Sequence, residues 1–237
     1  TKAYLPEDSI LLPEIYSDFQ ANKDTGKPYF SFSVNVQSHG PYTTTESYST
    51  VDYLTGDYTE ECKNAMDNYM ASIMNSDVEL EKLIDQLRTE EEPVVFILFS
   101  DHLPWMGDSN VFYDEMGMDI SGDTEESFLR HYTTEYLIWA NDAAKEILGC
   151  DFVGEGPTIS PCYLMNGAFG LMGWDGPAFM QAMDDLREVF PVVTIHNCYI
   201  VDGVFTDAIP AECQDLFNEF LYLQYYWTNE FIFHLEE

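Results

Sequence analysis

Two histidines and an aspartate stand where a folded chain could use them for chemistry. His39 closes the run "YFSFSVNVQSHG", and Asp101 and His102 close "PVVFILFSDH". Each side chain prefers water or a polar partner, yet each directly follows an apolar segment. A carboxylate supplies charge and an imidazole a directional bond, and together they suit zinc, manganese or iron. Two adjacent ligands are a weak signal for a tight ion. The plain alternative is that Asp101 caps the turn after its strand and His102 is merely hydrogen-bonded. Trp105 and Tyr42 flank the three residues, and their rings could stack on a glycerol or sugar ring or simply pack at the rim.

The surrounding elements must bring these residues together. Phe30, Phe32, Val34 and Val36 alternate, which predicts a strand ending near Ser38. Residues 41–59 are polar and tyrosine-rich and predict a long loop. Met66, Tyr69, Met70, Ile73, Met74, Leu80, Leu83, Ile84 and Leu87 recur at steps of three and four. They predict a helix of roughly eight turns, with room for a break near Asn75 to Asp77, and its Met-rich stripe reads as core rather than as a partner groove. "PVVFILFSDH" predicts a strand buried on both faces. Strand, helix, strand is a βαβ unit, whose two strands run parallel. Ligands of open parallel sheets bind beyond the carboxyl ends of the strands. Parallelism therefore sets His39 beside Asp101 and His102, one or two strand spacings of about 4.8 Å apart.

Elsewhere the pattern is plainer. Residues 1–27 hold few periodic signals and read as an irregular lead-in. Residues 103–127 read as an acidic loop, in which "DISGDTEES" has poor spacing for a calcium site. "YTTEYLIWAN" predicts a strand, "ISPCYLMNGAFGLMGW" a helix capped by Ser160, and "PAFMQAMDDLREVF" a second helix. A hairpin turns at Asp202 and Gly203 within "PVVTIHNCYIVDGVFTD", and "AECQDLFNEFLYLQYY" predicts a final helix. The aromatic tail "WTNEFIFHLEE" packs on the domain or on chain beyond it. His131, placed before a strand, and His196, placed within one, lack an acid at ligand spacing and read as structural; His234 is uninformative.

The 237 residues carry 43 acids against 9 bases, a formal net charge of −34. Such a field repels nucleic acid and anionic membranes, so no nucleic-acid partner is expected. An anionic substrate would need a local reversal of sign, for which a divalent cation is the usual means. Arg88, Arg130 and Arg187 are too few and too scattered to clamp an anion. Five cysteines with no CxxC pair exclude a zinc ribbon and a dense disulfide framework, leaving one chance disulfide open. No apolar run reaches eighteen residues, and the start at Thr1 reads as an excised piece whose N-terminus and any anchor lie upstream.

The succession "KPYFSFSVNVQSHGPY", long helix, "PVVFILFSDHLPWMG", "TTEYLIWAN" and "SPCYLMNGAFGLMGW" resembles the later part of the sulfatase-like branch of the alkaline phosphatase superfamily. Within that branch it is most similar to lipoteichoic acid synthase and related phosphoglycerol transferases. The resemblance implies an α/β fold, a mostly parallel sheet flanked by helices, present as a partial domain over residues 28–210 with a C-terminal helix and tail over 211–237. It implies that Asp101 and His102 ligate one divalent metal, manganese in the transferases, with zinc, calcium or magnesium as alternatives. It implies that His39 binds the transferred phosphate or sulfate. Metal-rich relatives carry an Asp where this chain has Asn35, which argues for a single ion. The family's nucleophile and a further acidic ligand are expected in a missing N-terminal half, and Thr43, Thr44 and Thr45 do not match its motif.

The reading is thus a fragment of a metal-dependent phosphoglycerol transferase or sulfatase-like hydrolase, acting on an anionic phosphodiester or sulfate ester and inactive alone. A non-catalytic extracellular binding or scaffolding relative, and a sulfatase acting on sulfated sugars, are the alternatives. By resemblance, the domain is extracytoplasmic in a membrane-anchored protein.

Overall fold

The computed structural model describes residues 6–230. By its contacts the chain forms two compact units, one running through Ile147 and the other from Leu148. The first contains helices α1 (Asp8–Asn22), α2 (Glu60–Arg88), α3 (Val111–Glu115) and α4 (Glu125–Tyr132) and strands β1 (Val95–Phe99) and β2 (Tyr136–Ala140), with α5 (Asp142–Leu148) at its end.

The lead-in is not irregular. It forms α1, despite Pro13 inside it and no strong apolar stripe. Polar bonds from distant residues hold it. The Glu90 carboxylate accepts from Tyr16, from Gln20 and from Lys23 Nζ at 2.7 Å. These partners, the Lys23 ammonium first and Tyr16 next, hold the Glu90 carboxyl below the usual carboxylate range. At the other end of α1, the Asp8 amide donates to Gln37 Oε1 at 2.8 Å and the buried Asp8 carboxylate accepts from Asn35 at 3.1 Å.

Helix α2 runs 29 residues without a break. Thr59 caps it by accepting from the Cys62 amide, and Glu60 and Glu61 sit in its first turn and Arg88 in its last, matching the helix dipole. Asn75 and Ser76 do not interrupt it, because their side chains meet the Gln37 amide instead of competing for their own backbone.

The sheets depart from the expected parallel arrangement. β1 pairs with β2 antiparallel, in register from Val95 opposite Ala140 to Phe99 opposite Tyr136. Residues 28–36 form neither strand nor helix and no ladder with β1 among the described residues. Their contact runs through side chains: Phe32 stacks on Phe99 with centroids 6.5 Å apart, and His39 meets His102 at 6.1 Å. The order of these contacts means that the two segments travel in the same sense. Alternation alone gives a segment strand periodicity; a ladder also needs a neighbour within hydrogen-bonding distance.

Both ends of the β1–β2 ribbon are fastened. At one end Thr134 Oγ1 donates to the Ser100 carbonyl at 2.8 Å. At the other, fully buried Asn141 accepts from the amides of Val94 and Ala144, both at 3.0 Å. Its amide nitrogen donates to the carbonyls of Leu87, in the last turn of α2, and of Glu90 and Glu92, between α2 and β1. One side chain thus joins the end of α2, the start of β1 and the first turn of α5.

The second unit holds α6 (Leu164–Met172), α7 (Ala178–Val189), strands β3 (Val192–Val193), β4 (Tyr199–Val201) and β5 (Val204–Thr206), and α8 (Gln214–Tyr225). Its strands form an antiparallel meander. The turn at Asp202 and Gly203 is as read, both residues having positive φ, but a second turn over 194–198 takes His196 out of any strand. Ser160 stands at the N-cap position of a short 3₁₀ turn that opens with Pro161, but its side chain makes no cap bond: its Oγ accepts from the Val193 amide and donates to the Val193 carbonyl, both at 2.8 Å. Tyr163, Met183, Leu186 and Phe220 form the core beneath α8. Trp227 of the tail stacks on Phe179 at 4.5 Å, while His234 lies outside the described residues. All five cysteines are free.

Asn141→Ala should lower unfolding stability by about 3 kcal/mol, the cost of stranding several buried backbone groups. Asn141→Asp should be as damaging near neutral pH, since it turns an oxygen toward three carbonyls. Urea denaturation reads both, and an unchanged midpoint in either variant would remove Asn141 from this role.

Candidate functional site

β1 ends at Phe99, and the chain leaves the ribbon as Ser100, Asp101 and His102. Asp101 Oδ1 accepts from the His102 amide at 3.0 Å, and His102 Nδ1 lies 2.7 Å from the Leu103 carbonyl. The turn-capping role is therefore present. It uses only one atom of each side chain. Because a carbonyl can only accept, the hydrogen bond assigns a proton to Nδ1, so that in the neutral ring the lone pair is on Nε2. That Nε2 lies 3.4 Å from Asp101 Oδ2. Two acceptors facing each other at this separation call for a proton or a cation between them. Two donors bound to one ion at about 2.1 Å each, with a tetrahedral angle, are about 3.4 Å apart.

His39 is built the same way. Its Nδ1 lies 2.6 Å from the Gly40 carbonyl, which turns Nε2 outward, and its ring meets that of His102 edge-on at 6.1 Å. A metal-binding histidine usually donates its other ring N–H to a carbonyl, carboxylate or water in this way. Asp101, His102 and His39 are thus brought to one place. Still, no group of three or more His, Cys, Asp or Glu side chains converges closely enough to hold an ion by itself among the described residues. The donors present fit part of a ligand set, with the first two in chelating position. Asn35 donates to the Asp8 carboxylate.

The loops carrying these residues are locked by close packing. A Cβ on Gly40 would lie 2.8 Å from Trp105 Cβ, so only glycine lets the His39 turn approach the loop that follows His102. Trp105 also packs against Tyr42 and Phe112, within a core containing Cys62, Ala65, Met106, Phe112, Tyr113 and Ile120. Tyr42 donates to the Ser38 carbonyl at 2.6 Å, and Tyr113 to the Pro104 carbonyl at 2.8 Å. Both residues therefore brace the polypeptide beside the candidate ligands.

A cavity of about 300 Å³ opens beside Asp101 and His102, lined further by Trp105, Asn110, Tyr113, Ile120, His131 and Tyr132 among others. The sequence reading missed His131 as part of this region by placing it before a strand. It lies in the last turn of α4, with Nδ1 2.7 Å from the Ile120 carbonyl and its ring stacked on Tyr132 at 4.2 Å. A signal for this helix existed. Thr124 and Ser127 form a reciprocal capping box inside the stretch read as loop.

No Lys or Arg lines the cavity. Lys23, Lys63, Lys82, Arg88, Arg130, Lys145 and Arg187 are each ion-paired with a nearby acid.

Residues 3–174 match the family model described as Sulfatase. The chain is also 23% identical over 240 residues to a protein of Rhizobium meliloti (strain 1021) named for cyclic beta-1,2-glucan modification. That match covers 94% of this chain and 35% of the relative, so the chain spans about a third of the length of the curated protein it matches. No solved structure matches it. No helix among the described residues is long and apolar enough to cross a membrane.

Gly40→Ala should destabilise the protein by about 1–3 kcal/mol through overpacking against Trp105, visible as a lower melting temperature; an unaltered melt would show that the loops are not locked there. A second outcome concerns alkali. Burial pushes the Tyr42 and Tyr69 hydroxyls up, the Tyr113 hydroxyl up to about 12 and the Cys62 thiol up to about 11. Groups with raised folded values contribute stability in full below their unfolded values and lose it as pH rises toward the folded ones. The urea midpoint should therefore fall between about pH 9 and pH 12, and Tyr113→Phe should flatten the part above about pH 10.

Proposed function

The chain belongs to the sulfatase family, of the alkaline phosphatase superfamily, and from that premise we propose that it supplies metal-binding and substrate-binding residues to a phosphoglycerol transferase or related phosphodiester hydrolase. The observation that carries this reading is the facing pair of acceptors, Asp101 Oδ2 and His102 Nε2, 3.4 Å apart and 6.1 Å, ring to ring, from His39. The name of the rhizobial relative favours a glucan as the molecule that gains or loses the charged group.

In this reading Asp101 and His102 hold one divalent ion, manganese by preference. When bound, such an ion lowers the pKa of a coordinated hydroxyl and offsets charge on a transferring group. His102 commits Nδ1–H to Leu103 and so offers Nε2 to the ion, and Asp101 contributes the negative charge that a metal-bound imidazole lacks. His39 takes one oxygen of the phosphate. With Nδ1 committed to the Gly40 carbonyl, Nε2 is the atom it turns to that oxygen. Arg88 and Arg130 are paired with acids, so the ion supplies positive charge that they do not.

The reaction also requires a nucleophile and further ligands, and we assign these to residues outside this chain, in the same parent protein. The exposed apolar side chains Phe30, Phe32, Val34, Leu98, Phe99 and Leu137 offer a surface on which that portion could dock, and the 35% coverage of the relative leaves ample chain for it. Extracytoplasmic placement of a membrane-anchored parent belongs to the same proposal.

The parent protein should hydrolyse a phosphodiester such as bis(p-nitrophenyl) phosphate with added Mn²⁺ and stop when EDTA is added. His102→Ala should abolish turnover, and His39→Ala should lower kcat by about 10²–10³-fold, as expected for one lost donor to the developing charge. Equal activity with and without EDTA would overturn the assignment.

A further inference from the structure

The cavity beside Asp101 and His102 differs in chemistry from the ligands at its edge. Trp105, Tyr113 and Tyr132 give it aromatic surface, while Asn110 and His131 add hydrogen-bonding groups, and no Lys or Arg lines it. At about 300 Å³ it is at the small end of ligand cavities, which run from about 300 to 1,000 Å³. A phosphate deep in this space would meet no fixed positive charge, and a lipid chain would strand its amide and imidazole. A neutral molecule with apolar faces and a polar rim suits the lining on both counts. A pyranose ring has that constitution.

Two independent features show that the polar groups are placed under constraint. Ser109 and Asn110 both have positive φ, 56° and 64°, a conformation that costs non-glycine residues energy and that clusters at ligand sites. Gly107, just before them, approaches Val111 and Phe112 so closely that a Cβ would lie 2.7 Å from the valine side chain. The short helix that follows therefore holds the strained turn at the cavity rim. His131 is fixed on the Ile120 carbonyl and against Tyr132, so its ring cannot turn freely and Nε2 is the nitrogen left for a guest.

We propose that this cavity is a sugar-ring subsite, in which His131 and Asn110 hydrogen-bond hydroxyls and the aromatic lining covers the ring face. The proposal rests on the metal reading above and deepens it: the ester group would lie at Asp101 and His102 while the glycan to which it is joined occupies the cavity. His131 then serves as a specificity-determining residue.

The probe is sophorose, the β-1,2-linked glucose disaccharide, titrated into the full chain with Mn²⁺ present and followed by saturation-transfer NMR. Sophorose should bind saturably. Asn110→Gly, which relieves the positive φ, and His131→Ala should each weaken binding by about fivefold or more, the effect of one lost hydrogen bond. Asn110→Gly guards against misfolding, since it should leave the melting temperature unchanged or raised. Absence of saturable sophorose binding, or affinity in both variants equal to that of the unsubstituted chain, would overturn the proposal. So would glycerol 1-phosphate displacing the sugar with the same sensitivity to both variants, because the cavity would then hold the transferred group. Bound Mn²⁺, read by electron paramagnetic resonance and tested with His102→Ala, reports on the metal reading separately. Loss of the ion with sugar binding intact would be a failure of the ligand assignment and not of the subsite.

Discussion

A single buried amide governs where the candidate chemistry can stand. Asn141 satisfies Val94 and Ala144 with its oxygen and three carbonyls near the end of α2 with its nitrogen. Buried backbone groups left without partners cost more than the bonds themselves contribute, so this one residue constrains the relative position of α2, β1 and α5. β1 is only five residues long. A shift of one residue in its register would send Asp101 and His102 to opposite faces. Thr134 fixes the far end of the same ribbon through Ser100, the residue immediately before Asp101. The two fastenings convert an otherwise short and slippery pair of strands into a fixed lever with the carboxylate and imidazole at its tip.

The partner of that lever is held by sterics rather than by a ladder. His39 arrives on a segment that touches β1 through Phe32 and Phe99, and its turn seats on Trp105 only because residue 40 has no Cβ. Each histidine near the cavity is then oriented by the same device, a carbonyl at Nδ1: Gly40 for His39, Leu103 for His102 and Ile120 for His131. Repetition of this device orients three rings through Nδ1, with no second side chain required, and leaves Nε2 as the atom each presents. For a ligand or a hydrogen-bonding group, a fixed ring orientation decides function.

The legible parts of the sequence were those whose cause is local. An unbroken apolar run followed by Asp and His announces β1 and its polar exit, and apolar residues at steps of three and four announce α2. Asp202 and Gly203 announce their turn. Helix α1 was not legible, because its stability comes from Glu90, some seventy positions away, and not from an apolar stripe. The antiparallel pairing of β1 was hidden by the strand-helix-strand order, which is equally compatible with a first segment that never joins the ladder. His131 was misplaced because the capping pair Thr124 and Ser127 lies in an acidic stretch that reads as solvated loop. Asn141 looked like the last residue of a strand, although an Asn before Asp and two alanines is also a helix cap.

Charge decides what such a site could bind. A formal −34 would repel an ester anion, and the bases that could offset it are mostly spent on acids three or four residues away. Exposed pairs of this kind add little stability, but they neutralise each cation at short range. An anion approaching Asp101 would therefore meet a carboxylate before any counter-charge. Only when something positive is held between Asp101 Oδ2 and His102 Nε2 does the local potential favour the guest. The same acidity that keeps unrelated anions away thus makes binding of an ester conditional on the cation, whereas a neutral ring in the adjoining cavity would feel the field hardly at all. A split of the substrate into a charged end at the ligands and an uncharged end among Trp105, Tyr132 and His131 is the arrangement this electrostatic landscape permits.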